Sequence, residues 1–325
     1  MWMKIIEAKA LVKKDLERFK INRHWPVIWQ KTKKNIFCTN DGWVGFHSWK
    51  NYLLVAGEPL SSSEDEMCIL WSDFSRWAKE QNKLIAGYYI SENLAELVGQ
   101  LPGGDLDILP IGSSVEIDLK KYSLDGAMAE ESRRALNVGE REHFSFEIIR
   151  NKQPYLNAVL DLEKRWIKSK PMKRIGFLLS KPELGFPLES EELWVIALHE
   201  GQPLAFLSLI NMGDDGIYLD NMIYDPQKNR FGLSFLIVQM AIYLKKKSHS
   251  RFYLGLCPGS LEKADSLFDF SLVTGAKLFP FYNFTGLYNF KKKFSNQTHR
   301  RYGFVPKQGL RVNHLFNVWR ASFTK

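Results

Sequence analysis

Hydrophobic and polar positions alternate most cleanly in the second half of the chain. Ile217, Leu219, Asn221 and Ile223 interleave with Tyr218, Asp220, Met222 and Tyr224, a period of two that predicts a strand ending at Asp225-Pro226. A polar turn from Gln227 to Gly232 leads into an apolar helical run, Leu233 to Leu244, which closes on Lys245, Lys246 and Lys247 where the helix dipole favours cations. A second strand follows at Phe252 to Leu256. Upstream, strands are expected at Arg174 to Leu179, Leu193 to His199 and Leu204 to Met212 with no helix between them, which implies an antiparallel meander.

The first half reads as its own α/β unit. It begins with a helix over Ile6 to Arg18, followed by strands near Asn35 to Phe37, Trp43 to Ser48 and Tyr52 to Ala56. Ile69, Leu70, Phe74 and Trp77 recur at helical spacing within a helix over Ser63 to Gln81. Strand Leu84 to Ile90, helix Glu92 to Gly99, strand Val115 to Leu119, helix Ser123 to Asn137 and strand Phe144 to Ile149 complete it. A basic helix from about Pro154 to Lys168 reads as a connector, giving a lobe over 1–150, a link over 151–171 and a second lobe over 172–325. The fold class is α/β (α+β), with mixed, mostly antiparallel sheets and flanking helices.

Composition adds two constraints. A chain of 325 residues that is 45% hydrophobic can bury a large core. Its longest apolar run is far short of the roughly 20 residues that span a bilayer, and the charged start of the chain does not resemble a secretory leader, so a cytoplasmic location is expected. Cys38, Cys68 and Cys257 form no CxxC pair and the histidines no HxxxH, so neither disulfides nor a metal site is expected.

Charge is unevenly distributed. The net charge is +9, but residues 151–325 alone carry +11, clustered at Lys164 to Arg174, Lys245 to Lys247, Lys291 to Lys293 and Arg300-Arg301. Such clusters attract polyanions, whether nucleic-acid phosphates or an anionic lipid surface; solvated helix faces account equally well for any one of them.

A glycine turn that feeds a helix N-terminus points backbone N–H groups at one small volume suited to an anion. Here that turn is Asn229-Arg230-Phe231-Gly232-Leu233-Ser234, which resembles the coenzyme A turn of the GNAT acyltransferases at its central glycine and departs from it at Asn229 and Ser234. Further signatures cover nearly the whole chain: Gly57-Glu58-Pro59, Gly112 to Val115 with Asp118-Leu119, Tyr122 to Gly126 leading to Arg133 to Asn137, Gly176-Phe177, Leu219 to Met222, and Phe290 to Phe294 ending in Arg301-Tyr302. In that order they resemble the C-terminal catalytic domain of phosphatidylglycerol lysyltransferases, the multiple peptide resistance factor proteins. Asn296 and Thr298 replace the usual Pro and Trp of the last signature, and Ile223 replaces an Arg, which marks a divergent member.

The resemblance implies two tandem GNAT-like lobes joined by a basic helix, and transfer of an amino acid from aminoacyl-tRNA to a lipid hydroxyl, with peripheral access to the membrane. It implies Asp220 as base or ammonium anchor, Lys293 and Arg301 as oxyanion or phosphate contacts, and Tyr302 as proton donor. Substrate contacts are expected at Arg134, Asn137, Asn221, Arg230, Gly232 and Lys291. On this reading there is no cofactor; the donor is aminoacyl-tRNA and the acceptor an anionic lipid or other small molecule. Two alternatives stay open: an acyltransferase that takes acetyl- or acyl-coenzyme A or a carrier protein, and a non-catalytic RNA- or membrane-binding module.

Overall fold

A computed structural model of the chain describes residues 4–7, 35–100, 105–149, 151–169, 192–211, 216–228, 231–260, 283–308 and 314. Of these, residues up to Gly112 and from Arg300 form one compact unit, and Ser113 to His299 form another.

The first unit contains β1 (Lys4–Glu7), β2 (Asn35–Cys38), β3 (Gly42–Trp49), β4 (Tyr52–Ala56), β5 (Leu60–Ser61), helix α1 (Glu64–Glu80), β6 (Leu84–Ile90) and helix α2 (Glu92–Gln100). Its strands run β1-β2-β3-β4-β6, with the last residues of the C-terminal strand β13 (Gln297–Pro306) beyond β6. β2, β3 and β4 pair antiparallel, and α1 carries the chain from β4 to a parallel partner, β6. α1 starts where its sequence says it should: Ser63 Oγ accepts from the Glu66 N–H at 3.2 Å while Glu66 Oε2 accepts from the Ser62 N–H at 3.0 Å. Its buried side, Met67, Leu70, Trp71, Phe74 and Ala78, packs on Phe37, Phe46 and Phe304 of the sheet.

The second unit contains the end of β7 (Leu106–Asp118), helix α3 (Glu130–Arg141), β8 (Ser145–Ile149), helix α4 (Leu156–Lys168), β9 (Glu192–His199), β10 (Gln202–Asn211), β11 (Ile217–Tyr224), helix α5 (Phe231–Lys246), β12 (Arg251–Pro258), helix α6 (Phe284–Lys292) and the start of β13. Strand order is β7-β12-β11-β10-β9-β8. The meander from β8 to β11 is antiparallel, and α5 returns the chain to β12, parallel to β11. Both units thus share one element order, an antiparallel hairpin followed by a helix and a parallel strand.

Alternation along β9 and β10 divides the second core into two layers. Val195, Ala197, Ala205 and Leu207 face α3 and α5, while Trp194, Ile196 and Phe206 face α4. α5 is apolar nearly all round and almost wholly buried, as a central helix must be.

The structure departs from sequence expectation at several places. Lys4–Glu7 is a strand on β2 rather than the start of a helix, and residues 8–18 lie outside the described residues. The strand expected over 174–179 also lies outside them. The helix expected from Ser123 begins at Glu130, because Ser123 and Asp125 close a side-chain turn and Gly126 adopts φ +77°. The basic helix α4 buries Val159 and Leu162 against Trp194, Ile196, Phe206 and Ile223, so it is a layer of the second unit rather than a free connector. The units accordingly divide within β7 and β13, not near residue 150. Helix α6 was not anticipated from its pattern. Among the described residues no helix is long and apolar enough to cross a membrane, and no three His, Cys, Asp or Glu gather as a metal site.

Candidate functional site

The ladder between β11 and β12 holds for Ile217↔Phe252 and Tyr218↔Tyr253, although β11 continues to Tyr224 and β12 to Pro258. Two parallel strands therefore part in the middle of the second unit. The residues just beyond that point are the polar ones.

On β11 the register against β10 jumps from Ser208↔Asn221 to Leu209↔Leu219, leaving Asp220 as the extra residue of a β-bulge. In an unbroken strand Asp220 and Asn221 would point to opposite faces. Here both reach Ser208: its Oγ donates to Asp220 Oδ2 at 3.2 Å and accepts from Asn221 Nδ2 at 2.9 Å, and Asn221 Nδ2 also lies 2.7 Å from Asp220 Oδ2. All three side chains are buried. Burying a carboxylate is costly unless donors surround it, and Ser208 and Asn221 supply two.

On β12, Gly255 adopts φ +85°, a conformation that excludes most side chains. A Cβ there would stand 3.2 Å from Tyr218 Oη and 3.7 Å from Lys291 Nζ. Lys291, from the last turn of α6, is only 7% exposed; its Nζ donates to the Leu256 carbonyl at 3.5 Å, a long contact. Burial lowers its pKa, and the neighbouring Cys257 works weakly in the other direction. Cys257 in turn is pushed up by burial.

The sequence-derived candidates do not all meet. Asp220 and Asn221 are held on β11 against Ser208 of β10, and Lys291 packs on β12 at Gly255 and Leu256. Lys293, only two residues beyond Lys291, is half exposed and ion-paired to Glu131 at 3.1 Å. Two residues turn a helix by about 200°, so the neighbouring lysines face different surroundings. Gly232 is buried against Leu204, whose Cγ would lie 2.5 Å from a Cβ at that position; the glycine makes room for β10 rather than for a ligand. Arg230 lies outside the described residues.

Arg134 and Asn137 line a cleft of about 530 Å³ with Arg133, Arg141 and Phe231. Arg301 and Tyr302 belong to the first unit. The Arg301 guanidinium sits 5.3 Å from the ring centre of Tyr89, a bulged residue of β6 with φ +73°. Tyr302 donates to Glu92 Oε1 at 2.9 Å; burial and that carboxylate raise its pKa, so it keeps its proton.

Ser208, Tyr218, Gly255, Phe231 and Arg141 were missed in the sequence. Ser208 had a signal, being a lone hydroxyl in the apolar run Leu204 to Ile210, and Arg141 another, seven residues beyond Arg134.

Known proteins share this fold. The structure is similar to L-PGS from Bacillus licheniformis, with a TM-score of 0.78, 20% identity, and 97% of this chain and 98% of that one covered. It is similar to the C-terminal domain of a putative lysylphosphatidylglycerol synthetase from Agrobacterium fabrum, with a TM-score of 0.74, 20% identity and 95% and 96% covered. FemX follows with a TM-score of 0.63, 10% identity and 98% and 100% covered. No curated protein matches the chain in sequence. Residues 24–304 match the sequence family described as phosphatidylglycerol lysyltransferase, C-terminal. The chain belongs to that family of transferases.

Proposed function

We propose that this chain moves an amino acid from the 3′ end of an aminoacyl-tRNA to the hydroxyl of an anionic lipid or other small acceptor. Family membership supports the transfer of an aminoacyl group to lipid. The observation that carries the reading furthest is the buried Asp220, held by Ser208 and Asn221 at the bulge where β11 leaves β12.

In such a reaction the acceptor oxygen bonds to the ester carbonyl carbon, the bond to the ribose 3′ oxygen breaks, and the acceptor proton ends on that ribose oxygen. The donor amino group is cationic, and a buried carboxylate already surrounded by donors is a fixed counter-charge for it. The Tyr218 hydroxyl and Lys291 Nζ both lie beside Gly255 of β12. Lys291 supplies positive charge to the developing oxyanion; with its pKa lowered by burial it also exchanges a proton more readily than an exposed lysine. In this scheme Lys291 takes the oxyanion role that the sequence assigned to Lys293, whose charge is committed to Glu131.

The test is incubation of the purified protein with radiolabelled aminoacyl-tRNAs and anionic lipid vesicles, followed by separation of the lipid phase. Label entering lipid, abolished by ribonuclease and by Asp220→Asn, is the expected result. No transfer to lipid or any soluble acceptor, beside tight acetyl-coenzyme A binding, would replace this reading with that of a coenzyme-dependent acyltransferase.

A further inference from the structure

Cations from three elements gather at one end of the second unit. The turn after β7 is bonded to the residue before β12, the Leu119 N–H donating to the Ser250 carbonyl at 2.9 Å, and Lys245 Nζ donates to the Tyr122 carbonyl. These bonds bring Lys120 and Lys121 to Lys245, Lys246 and Lys247 at the C-terminus of α5 and to Arg251 at the start of β12, all of them exposed. Two carboxylates lie among them. Asp118, 16% exposed, accepts from the Lys120 N–H at 3.0 Å and from Gln297 at 3.2 Å, and stands 3.8 Å from Lys121 Nζ. Glu116 is buried, 3.1 Å from His299 Nε2 and 3.8 Å from Arg251 Nη1. Six cations against these two acids leave an excess of four positive charges. The dipole of α5 accounts for cations in its own last turn, not for Lys120, Lys121 and Arg251, which arrive on other elements. The connection that carries Lys120 and Lys121 also carries Met128, which is 83% exposed. Arg133 fixes that connection, donating from Nη1 to the carbonyls of Leu124 and Gly126 at 2.7 Å each, and its one acid, Asp125, accepts from Ser123 at 2.6 Å.

We propose that this end of the second unit docks on an anionic membrane surface, with the lysines of the β7–α3 turn and of the α5 terminus over the headgroups and Met128 as an apolar anchor. Five of the six cations are lysines, compact and strongly hydrated charges on flexible stems. They need no fixed geometry in a partner, as suits a fluid layer of headgroups. Nucleic-acid strands are held by arginine forks and aromatic platforms. Here there is one arginine in the cluster, beside Glu116, and an exposed apolar side chain that a phosphate backbone does not cover. Ile217 of β11 pairs with Phe252, the residue after Arg251, and Asp220 lies three residues further along β11, about 10 Å of strand. The docking surface is therefore close to the bulge; that its lipid is the acceptor rests on the function proposed above.

The test is flotation of the purified protein with vesicles of phosphatidylcholine alone, of equal parts phosphatidylcholine and phosphatidylglycerol, and of equal parts phosphatidylcholine and phosphatidylserine. The expected result is no binding to the first and equal binding to the other two, weakening as salt is added. Each neutralised lysine lowers affinity about fivefold. The double variants Lys120→Gln/Lys121→Gln and Lys246→Gln/Lys247→Gln therefore each lose roughly 25-fold. Met128→Ser loses about tenfold and keeps the salt dependence of wild type. Lys164→Gln, an exposed lysine of α4 outside the cluster, binds as wild type does. All these side chains are exposed, so the fold survives their substitution, which thermal unfolding of each variant verifies.

Vesicle binding that survives in every variant, or that falls as far in Lys164→Gln as in the cluster, would overturn the inference. So would absence of vesicle binding beside binding of a short RNA duplex that the lysine variants weaken, which assigns the surface to nucleic acid. Binding to phosphatidylglycerol but not to phosphatidylserine, retained in the lysine variants, is recognition of a headgroup elsewhere and removes the docking surface. The readout needs no transfer reaction. Docking that depends on the cluster, in a protein that transfers nothing, refutes the proposed function and leaves the inference intact; transfer to lipid with vesicle binding insensitive to the lysine variants does the reverse.

Discussion

Ser208 and Asp220 sit on neighbouring antiparallel strands and share a buried hydrogen bond of 3.2 Å that exists because β11 carries one residue more than β10 at that point. Without the bulge, Asp220 and Asn221 would leave the strand on opposite faces, and Ser208 would meet only one of them. The acid is therefore positioned by backbone register as much as by its own rotamer.

Ser208→Ala removes a donor to Asp220 and an acceptor for Asn221. Unfolding in urea is expected to show a loss of about 1.5–3 kcal/mol, the scale of one buried hydrogen bond to a charged group. Transfer activity falls with it. Asp220→Asn, similar in shape but neutral, loses at least about 100-fold in activity if the carboxylate takes part in the chemistry. A Ser208→Ala variant as stable and active as wild type would show that the carboxylate is held by other means.

The parts of this fold that could be read from sequence are those in which one face is buried and the other is not. β11 and α1 announce themselves by period, and α1 also by the Ser63 cap and Glu66, whereas β10, buried on both faces, shows as an unbroken apolar run. Asp220 was legible as an acid on a strand before a turn. The bulge was not, because register is decided by pairing and leaves no mark in one strand alone. From sequence α4 looks like a connector because an amphipathic basic helix does not say which surface covers its apolar stripe; Trp194 and Phe206 do. Lys291 and Lys293 look alike in a run of three lysines, and only the phase of α6 and the packing of β12 separate the buried one from the exposed one.

Gly139 sets how closely α3 lies on α5. A Cβ there would stand 2.3 Å from Phe235 Cδ2 and 2.6 Å from its Cε2, well inside contact distance. Gly139→Ala gains helix propensity yet overpacks the core, and the expected net loss is roughly 1–2 kcal/mol. Adding Phe235→Leu relieves the clash, so the double mutant is more stable than the two single losses predict. A double-mutant cycle by chemical denaturation checks the sign of that coupling.

Gly255→Ala places a methyl between Tyr218 Oη and Lys291 Nζ and forces alanine into φ +85°. The backbone cost is about 1–2 kcal/mol. Activity is expected to fall further than that destabilisation accounts for, because the added methyl occupies the space on which those two groups converge. Comparing residual activity at a temperature where wild type and variant are both fully folded separates the two effects. Equal activity there would remove Gly255 from the site.

Lys291 gives the sharpest pH signature. Burial lowers its pKa in the folded state, while in the unfolded chain it titrates near the ordinary lysine value of about 10.4. Between those two values the unfolded chain holds one more proton than the folded chain, so this lysine makes stability rise with pH across that interval. Below its folded pKa both states are protonated and the cost of burying the ammonium is fully present. Lys291→Met fits the same space without a charge to desolvate, and removes that dependence. The stability difference, variant minus wild type, is therefore expected to be most favourable to the variant at neutral pH and to shrink steadily toward pH 10. Urea denaturation of both proteins over that range measures it directly. A difference independent of pH would mean that Lys291 reaches solvent or a counter-charge in the folded protein, and its part in the transfer site would go with that.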